Sequence, residues 1–228
     1  MARVGGRPRQ IGPADIVRAG RELGLRNLSM NAVAAALGVS STALYRHVEG
    51  RWGLERLVGE SILAELDFHD SPADGPVPHL LSTALQLRSF LLRHPGLTHY
   101  VQTLFPRGDG GRRLLAAAAE SLVRRGYSTD AAIVLSAAVA SVVIGYAATE
   151  EAQAERSEDL DEQRRGVEEG LLADSRLGDA HRTLPVIAAD EYVRLWLGAA
   201  IRGFVEAAPP GRPVDEIRVA LRAAGEDQ

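Results

Sequence analysis

The chain has 228 residues, of which 46% are hydrophobic and 25% are charged. This composition is typical of a folded globular protein and excludes a disordered or collagen-like chain. The chain contains no cysteine, which excludes disulfides, thiolate nucleophiles and thiolate metal sites. All 26 basic residues are arginine. Residues 1–60 carry nine arginines against five acidic residues, a net charge of +4, whereas residues 61–228 carry a net charge of −8. The first part can therefore meet a polyanion that the rest of the chain would repel.

Residues 1–12 form a basic arm before the first predicted helix. The arm is not followed by the apolar stretch of a secretory signal peptide, so, together with the absence of cysteine, it favours a cytoplasmic location. Arg7 and Arg9 come directly before the helix. Arginines in such an arm can enter the narrow minor groove of A·T-rich DNA. A solvated tail is an equally good interpretation of both residues.

Four helices are predicted between residues 13 and 66. The first starts at Gly12-Pro13-Ala14-Asp15, because proline is tolerated in the first turn and an acidic side chain interacts favourably with the positive end of a helix. Ser29 and Ser40 are of the residue type that caps the next two helices. The fourth helix carries one apolar stripe along its length. The predicted bounds are about 13–23, 29–36, 40–47 and 50–66.

The second and third predicted helices have the pattern of a helix-turn-helix. Ala34 is followed four residues later by Gly38, and two helices that cross steeply through a short turn need a small side chain and a residue that tolerates positive φ at these places. An ordinary helix hairpin can carry the same spacing. The basic charge and the hydrogen-bond donors of the third helix favour DNA binding, because such groups contact phosphates and base edges. The candidate DNA-binding residues are Arg7, Arg9, Ser29, Asn31, Ser41, Thr42, Tyr45, Arg46, His47 and Arg51.

Residues 67–78 contain three prolines and form the clearest linker in the chain. We therefore predict three segments: a basic arm over 1–12, a helix-turn-helix domain with its connecting helix over 13–66, and a larger helical domain over 67–228. Residues 155–183 are acidic and lack apolar periodicity, which predicts a mobile, partly helical excursion. The remaining segments of the larger domain have helical spacing, so the whole chain is predicted to be all-α. The main predicted helices there are about 80–94, 112–125, 129–152 and 186–207, with shorter ones before 104 and after 214.

The helix over 129–152 includes residues 131–148, an almost entirely apolar stretch near the lower length limit for crossing a bilayer. Seven of its 18 residues are alanine and acidic residues stand at its ends, so no membrane partner is expected. A helix that is apolar all round is otherwise buried on all sides. Small residues here and in 186–207 would let two copies approach closely in a four-helix bundle, a homodimer. The expected interface residues are Ala137, Ala138, Ser141, Gly145, Trp196, Gly198, Ala199 and Arg202.

The amino-terminal part resembles the DNA-binding domain of the TetR (tetracycline repressor) family over residues 13–66. The resemblance is carried by Ser29, Val33-Ala34, Leu37-Gly38-Val39-Ser40, Leu44-Tyr45, His47-Val48 and Arg51. A weaker resemblance to the tetracycline repressors themselves continues through residues 80–155, in Leu91-Leu92-Arg93-His94, Arg125-Gly126-Tyr127-Ser128 and Leu135-Ser136-Ala137. The resemblance implies a homodimeric transcriptional repressor that binds a palindromic double-stranded DNA operator and is released by a small effector held in the larger domain.

The chain departs from the tetracycline repressors where those proteins hold a drug–magnesium chelate. Their metal-binding histidine and glutamate positions fall on Val101 and Thr149, and no cofactor is expected. A polar pocket position falls on Thr83, its aromatic neighbour on Leu87 and a further histidine on Asp67. A more apolar pocket suits a largely hydrophobic effector; a packed core without a pocket is the alternative for these apolar residues. The candidate effector residues are Leu63, Asp67, Phe68, Thr83, Leu87, Phe90, Leu91, Val101, Phe105, Val142 and Tyr146.

Two other functions compete with an effector-controlled regulator. An enzyme is disfavoured because the sequence has no HExxH, GxSxG or P-loop motif. His94 and His99, with Asp67 and His69, could still form a metal site, although solvated histidines are the expected interpretation. An architectural DNA-binding dimer without an effector is the second alternative, and a solid core in the larger domain would favour it.

Overall fold

In the computed structural model, which describes residues 11–226, the protein is all-α, as predicted, with no strand among the described residues. Arg7 and Arg9 lie outside the described residues, so their role in DNA binding stays a prediction. One 3-10 turn, Leu25–Asn27, joins the first two helices. The α-helices of the described part are α1 (Pro13–Leu23), α2 (Met30–Leu37), α3 (Ser41–Leu44), α4 (Gly50–Leu63), α5 (Pro76–Arg93), α6 (Leu97–Thr103), α7 (Asp109–Val123), α8 (Thr129–Ala154), α9 (Ser157–Ala173), α10 (Gly178–Thr183), α11 (Ala189–Ala207) and α12 (Val214–Glu226).

The chain forms two compact units. The first consists of the described residues up to Asp67 together with Arg93–Leu115, and the second consists of Phe68–Leu92 together with the described residues from Ala116 onward. The sequence-based division assigned residues 93–115 to the larger domain. They belong instead to the unit of the helix-turn-helix, and α7 contributes to both units.

The core of the first unit lies between α1, α2 and α4. Ile16, Val33 and Leu54 are fully buried there, and Leu44 of α3 closes the same core. α1 and α4 approach closely at Gly20, where a Cβ atom would lie 2.5 Å from a methyl group of Val58. The buried side of α4 therefore packs against the core of the helix-turn-helix through Leu54 and Val58.

Contacts with the 3-10 turn and with α4 explain why residues 93–115 join the first unit. Gly96, at the start of α6, has φ of 89° and packs against the backbone of Leu25 and Arg26. The Tyr100 ring covers Gly59 of α4, where a Cβ atom would lie 2.8 Å from the ring. Local sequence patterns do not predict these contacts, because they join residues that are 40 or more positions apart in the chain.

The second unit has its core between α5, α7, α8 and α11. The buried residues are almost all aliphatic, and Leu135, Val139 and Val143 of α8 lie at its centre. α8 is long and apolar enough to cross a membrane by length and composition. Eight of its residues are buried in the described part of the chain, including these three. Its other side is exposed in the protomer, so the prediction that it is buried on all sides is wrong for a single chain. The exposed residues in the middle of this side include Ile133, Val134, Ala137, Ser141 and Gly145.

The acidic segment 155–183 is more regular than its sequence indicates. α9 and α10 cover most of it, and every residue from 161 to 170 is exposed. α9 makes its contacts with α8 and α10. A helix with so little apolar surface gains little from burial, which is why apolar periodicity failed to detect it.

Candidate nucleic-acid interface

The turn between α2 and α3 has the geometry that the sequence predicts. Ser29 caps α2, because its hydroxyl oxygen accepts a hydrogen bond of 3.1 Å from the Ala32 backbone N–H. Gly38 ends α2 in the left-handed region, with φ of 68°, and Ala34 is 3% exposed where the helices meet. Only glycine adopts this backbone conformation without strain, so the small residue and the glycine occupy the places that the motif requires.

The two helices are also joined by a side-chain hydrogen bond. The Ser41 hydroxyl donates to the Asn31 Oδ1 atom over 2.7 Å, so Ser41 of α3 and Asn31 of α2 lie side by side at the surface. Of the predicted DNA-binding residues described, Thr42, Tyr45, Arg46 and His47 are exposed at α3 or in the turns that follow it. α3 proper ends at Leu44 and continues to His47 only as turns, so it is shorter than predicted.

Arg51 lies at the start of α4, beside this surface, with 74% of its side chain exposed. Its Nε donates a 2.8 Å hydrogen bond to the Glu55 carboxylate one turn further along the helix. The structure thus brings every described candidate from Ser29 to Arg51 to two neighbouring helices and the start of α4. Hydroxyl, guanidinium and phenol groups there can donate to phosphates and base edges.

A second group of residues, which sequence reasoning missed, holds α4 from the α6–α7 segment. The Tyr100 hydroxyl donates to Glu60 Oε1 over 2.7 Å, and the Gly111 backbone N–H donates to Glu60 Oε2 over 2.9 Å. Burial, with the hydrogen bond to Glu60, raises the pKa of Tyr100 far above its usual value, so the phenol keeps its proton and remains a donor. Further along, Arg113 donates to the backbone carbonyls of Leu63, Ala64 and Leu66.

Arg107 completes this group. Its side chain is 4% exposed, and its guanidinium carbon lies 4.7 Å from the Trp52 ring centroid and 4.4 Å from the Tyr100 ring centroid. Its Nη1 atom lies 3.6 Å from Glu55 Oε2. No local pattern in the sequence pairs residue 107 with residues 52 and 55, because more than 50 positions separate them in the chain.

The candidate effector residues fall in different surroundings. In the first unit, Leu63 and Val101 are buried and Phe105 is half-buried, whereas the Asp67 side chain is 93% exposed and pairs with Arg113. The assignment of Asp67 to the effector site stays a prediction. In the second unit, Phe90 and Leu91 are buried. The half-buried candidates of that unit are Phe68, Thr83, Leu87, Val142 and Tyr146.

Several of these second-unit residues form one apolar region. Leu87, Val142 and Tyr146 pack against the hydrophobic core of the second unit. The Tyr146 ring also lies 5.2 Å from that of Trp196, centroid to centroid, so a predicted effector residue contacts a predicted interface residue. The Thr83 hydroxyl is buried and has no hydrogen-bond partner within the described chain. Arg88 of α5 donates hydrogen bonds of 2.7 and 2.5 Å to the Glu150 carboxylate of α8.

The second unit also contains a polar cluster that sequence reasoning missed. Asp70 of the predicted linker accepts hydrogen bonds from Arg124 and Arg125, and its carboxylate lies 2.9 Å from His79 Nδ1. Hydrogen bonding from Arg125 lowers the pKa of Asp70 well below its usual range. Burial and the charge of Arg125 lower the pKa of His79. The cluster ties the proline-containing segment to α5 and α7.

No group of three or more histidine, aspartate or glutamate side chains in the described chain is placed to hold a metal ion.

Comparison with known structures gives the fold. ActR of Streptomyces coelicolor, in complex with actinorhodin, superposes with a TM-score of 0.75 at 20% identity, over 90% of this chain and all of ActR. A single-residue variant of TetR from Acinetobacter baumannii AYE, in complex with minocycline, gives 0.61 at 21% identity over 86% of this chain and 98% of the other. The S. coelicolor regulator SCO7222, a TetR, gives 0.58 at 22% identity over 86% and 97%. The chain has the TetR-family fold. No protein-family profile and no curated protein matches the sequence.

The TetR-family fold confirms the resemblance that the helix-turn-helix residues carry. It extends the similarity to 90% of the chain. At 20% and 21% sequence identity, these comparisons show a shared fold. A shared fold does not by itself determine a function.

Proposed function

We propose that the protein is a sequence-specific DNA-binding transcriptional regulator that responds to a small effector. The observation that carries the proposal is the helix-turn-helix, which presents Thr42, Tyr45, Arg46 and His47 together at its surface. The net charge of +4 over residues 1–60 gives this end of the molecule the sign that binds a phosphate backbone. The proposal includes a non-enzymatic role and a cytoplasmic location, which are the ones that a DNA-binding regulator needs.

The roles of the exposed residues follow from their chemistry. Tyr45, His47 and Arg51 position phosphates. Arg46, with Ser41 or Thr42, reads bases, because an arginine can donate two hydrogen bonds to one guanine. A homodimer presents two such surfaces, so the operator is a palindrome whose half-sites lie about 34 Å apart, one turn of the double helix.

We propose that the effector binds among the half-buried apolar residues of the second unit. Leu87, Val142 and Tyr146 offer apolar and aromatic surface, and the unpartnered Thr83 hydroxyl offers one polar anchor. This lining suits a largely hydrophobic molecule. Two proteins of this fold have been solved with ligands bound, ActR with actinorhodin and a TetR variant with minocycline.

The regulator acts as a repressor that the effector releases from its operator. An effector lowers operator affinity if it binds better to a conformation in which the two α3 helices of the dimer no longer fit the two half-sites. The DNA then lowers effector affinity by the same factor. A coupling free energy of about 1–3 kcal/mol corresponds to a factor of roughly 5 to 150.

Selection of binding sites from a pool of random duplexes tests the DNA-binding part. We expect a palindrome to be enriched and Arg46→Ala to lose about 1–3 kcal/mol on it, with relaxed preference at one base pair per half-site. Arg218→Ala is the matched control, since Arg218 is an exposed helical arginine of the acidic second unit. If no sequence is enriched, the protein is not a sequence-specific regulator. Equal weakening on every sequence would make Arg46 a phosphate contact.

Operator affinity measured with and without a ligand tests the regulatory part. Candidate ligands are first shown by calorimetry to bind the protein. Leu87→Glu should then reduce ligand binding and leave operator binding by the free protein unchanged. A ligand that binds the second unit but leaves operator affinity unaltered would favour an architectural DNA-binding dimer.

A further inference from the structure

Glu55 lies between two arginines of different exposure. Its Oε1 accepts the 2.8 Å hydrogen bond from Arg51, and its Oε2 lies 3.6 Å from Arg107. Arg51 is 74% exposed, Glu55 is 22% exposed and Arg107 is 4% exposed. The Glu55 carboxylate thus interacts with the exposed Arg51 guanidinium through one oxygen and with the buried Arg107 guanidinium through the other.

The internal arginine is fixed in place. The Trp52 and Tyr100 rings lie on its guanidinium at 4.7 and 4.4 Å, and its Nε donates to the Leu104 carbonyl over 3.1 Å. Its Nη1 has no hydrogen-bond acceptor in the described chain, so its charge there is balanced through space by Glu55. A cation this deeply buried needs an opposite charge nearby. Arg107 and Glu55 therefore stay together while Arg51 remains at the surface.

We propose that Arg107 is a positioning residue for DNA binding, which compensates the Glu55 carboxylate from inside the unit and so leaves the Arg51 guanidinium available to a DNA phosphate. The inference rests on the proposed DNA-binding function. With both arginines present the three side chains carry a net charge of +1. Without Arg107 the net charge is zero, and Glu55 is balanced by Arg51 alone.

This arrangement makes the α6–α7 segment part of the DNA-binding machinery. Arg107 lies between α6 and α7, more than 50 residues from Arg51 in the chain. Any displacement of the segment that withdraws Arg107 from Glu55 weakens DNA binding without moving a DNA contact.

The test uses the full chain and a fluorescent random-sequence duplex of about 30 base pairs, long enough for both half-sites of a dimer. Affinity is measured by anisotropy from about 50 to 200 mM salt, because the slope of affinity against salt counts neutralised phosphates. The variants are Arg107→Met, Glu55→Gln and the double variant. Arg112→Met is the control, since it removes an exposed arginine of the same unit.

Arg107→Met should weaken binding about two- to fivefold, the range of a partly exposed ion pair, and lower the salt slope by up to about 0.9. Glu55→Gln should strengthen binding by a similar factor. The double variant should bind as tightly as Glu55→Gln alone, because without the carboxylate Arg51 is free and Arg107 has no charge left to compensate. Arg112→Met should stay close to wild type in affinity and slope.

The effect of Arg107→Met in the Glu55→Gln background separates positioning from a merely structural role, because a distorted helix would cost the same affinity with or without the Glu55 carboxylate. Wild-type affinity in Arg107→Met, or an equal loss from Arg107→Met in the wild-type and Glu55→Gln backgrounds, overturns the inference alone. A wild-type protein that fails to bind the duplex even at the lowest salt overturns the inference and the proposed function together.

Discussion

Gly59 is important for packing because the Tyr100 ring lies against it. The Tyr100 ring lies directly over it, and a Cβ atom at Gly59 would lie 2.8 Å from three ring atoms. Tyr100 is itself held, since it is 3% exposed and its hydroxyl donates to Glu60. The ring cannot move aside without breaking that hydrogen bond, so position 59 requires the absence of a side chain.

We expect Gly59→Ala to destabilise the protein by about 1–3 kcal/mol, the cost of forcing an extra group into a close-packed site. Urea unfolding followed by circular dichroism measures the change. Gly166→Ala is the control: Gly166 also lies within a helix, its added Cβ meets nothing within 4 Å, and the substitution should stabilise by up to about 1 kcal/mol. Equal effects of the two substitutions would contradict the packing argument.

At the scale of elements, the segment between α4 and α5 is held by charge. Arg125 donates to the Asp70 carboxylate and to the carbonyls of Ser71 and Asp74, so one buried guanidinium holds residues 70–74 of this segment. His79 of α5, 4% exposed, completes the arrangement. Because two arginines already compensate Asp70, a proton on His79 would add a positive charge to a buried and already cationic site.

This cluster predicts a pH dependence of stability. Burial, with the charge of Arg125, lowers the pKa of His79 in the folded protein below its ordinary value of about 6.5. The unfolded chain therefore binds the proton more readily, and the free energy of unfolding should fall as the pH drops below about 6.5, by at most about 1.4 kcal/mol per pH unit. The pKa of Asp70 is also lowered, and the stability it contributes is lost only below about pH 4.

Urea unfolding of the wild type and of His79→Gln at about pH 7.5, 6.5 and 5.5 measures the His79 contribution. The decrease between the highest and lowest pH should be smaller in His79→Gln. His99→Gln changes an exposed histidine and should keep the wild-type dependence. A decrease that His79→Gln leaves unaltered would show that another group is responsible.

At the scale of the whole molecule, the exposed side of α8 needs a partner. Ile133 and Val134 are 41% and 56% exposed, and Leu195 and Trp196 of the neighbouring α11 are 56% and 39% exposed. The predicted interface residues Ala137, Ser141, Gly145, Ala199 and Arg202 are exposed on the same two helices, and Ala138 and Gly198 are half-exposed. Apolar surface of this extent on adjacent helices is typical of a subunit interface.

We expect a homodimer at micromolar concentration, and Ala137→Glu or Ala199→Glu should convert it to a monomer. In a two-fold interface each substitution places two like charges in one apolar patch, at a cost of several kcal/mol. Light scattering coupled to size exclusion measures the mass. Ala116→Glu, at an exposed position of α7, is the control and should leave the dimer intact. A wild-type monomer would end the proposal.

Much of this protein was predictable from the sequence because its signals are local. Pro13, Ser29 and Gly38 mark helix ends within a turn of where the structure has them, and caps and turns depend only on neighbouring residues. The spacing of Ala34 and Gly38, with the exposed donors after them, predicted the helix-turn-helix for the same reason. The resemblance of these residues to the TetR family led to the fold that the structure confirms.

Tertiary structure alone decided which distant residues share a site. Arg107 belongs with Trp52 and Glu55, and residues 93–115 belong with the helix-turn-helix, because particular faces of α4 and α6 meet. It also decided that α8 is buried on one side only, which neither its composition nor its periodicity distinguishes from burial on both. Periodicity tells which side of a helix avoids water, whereas the partner that covers it depends on the packing of the whole chain.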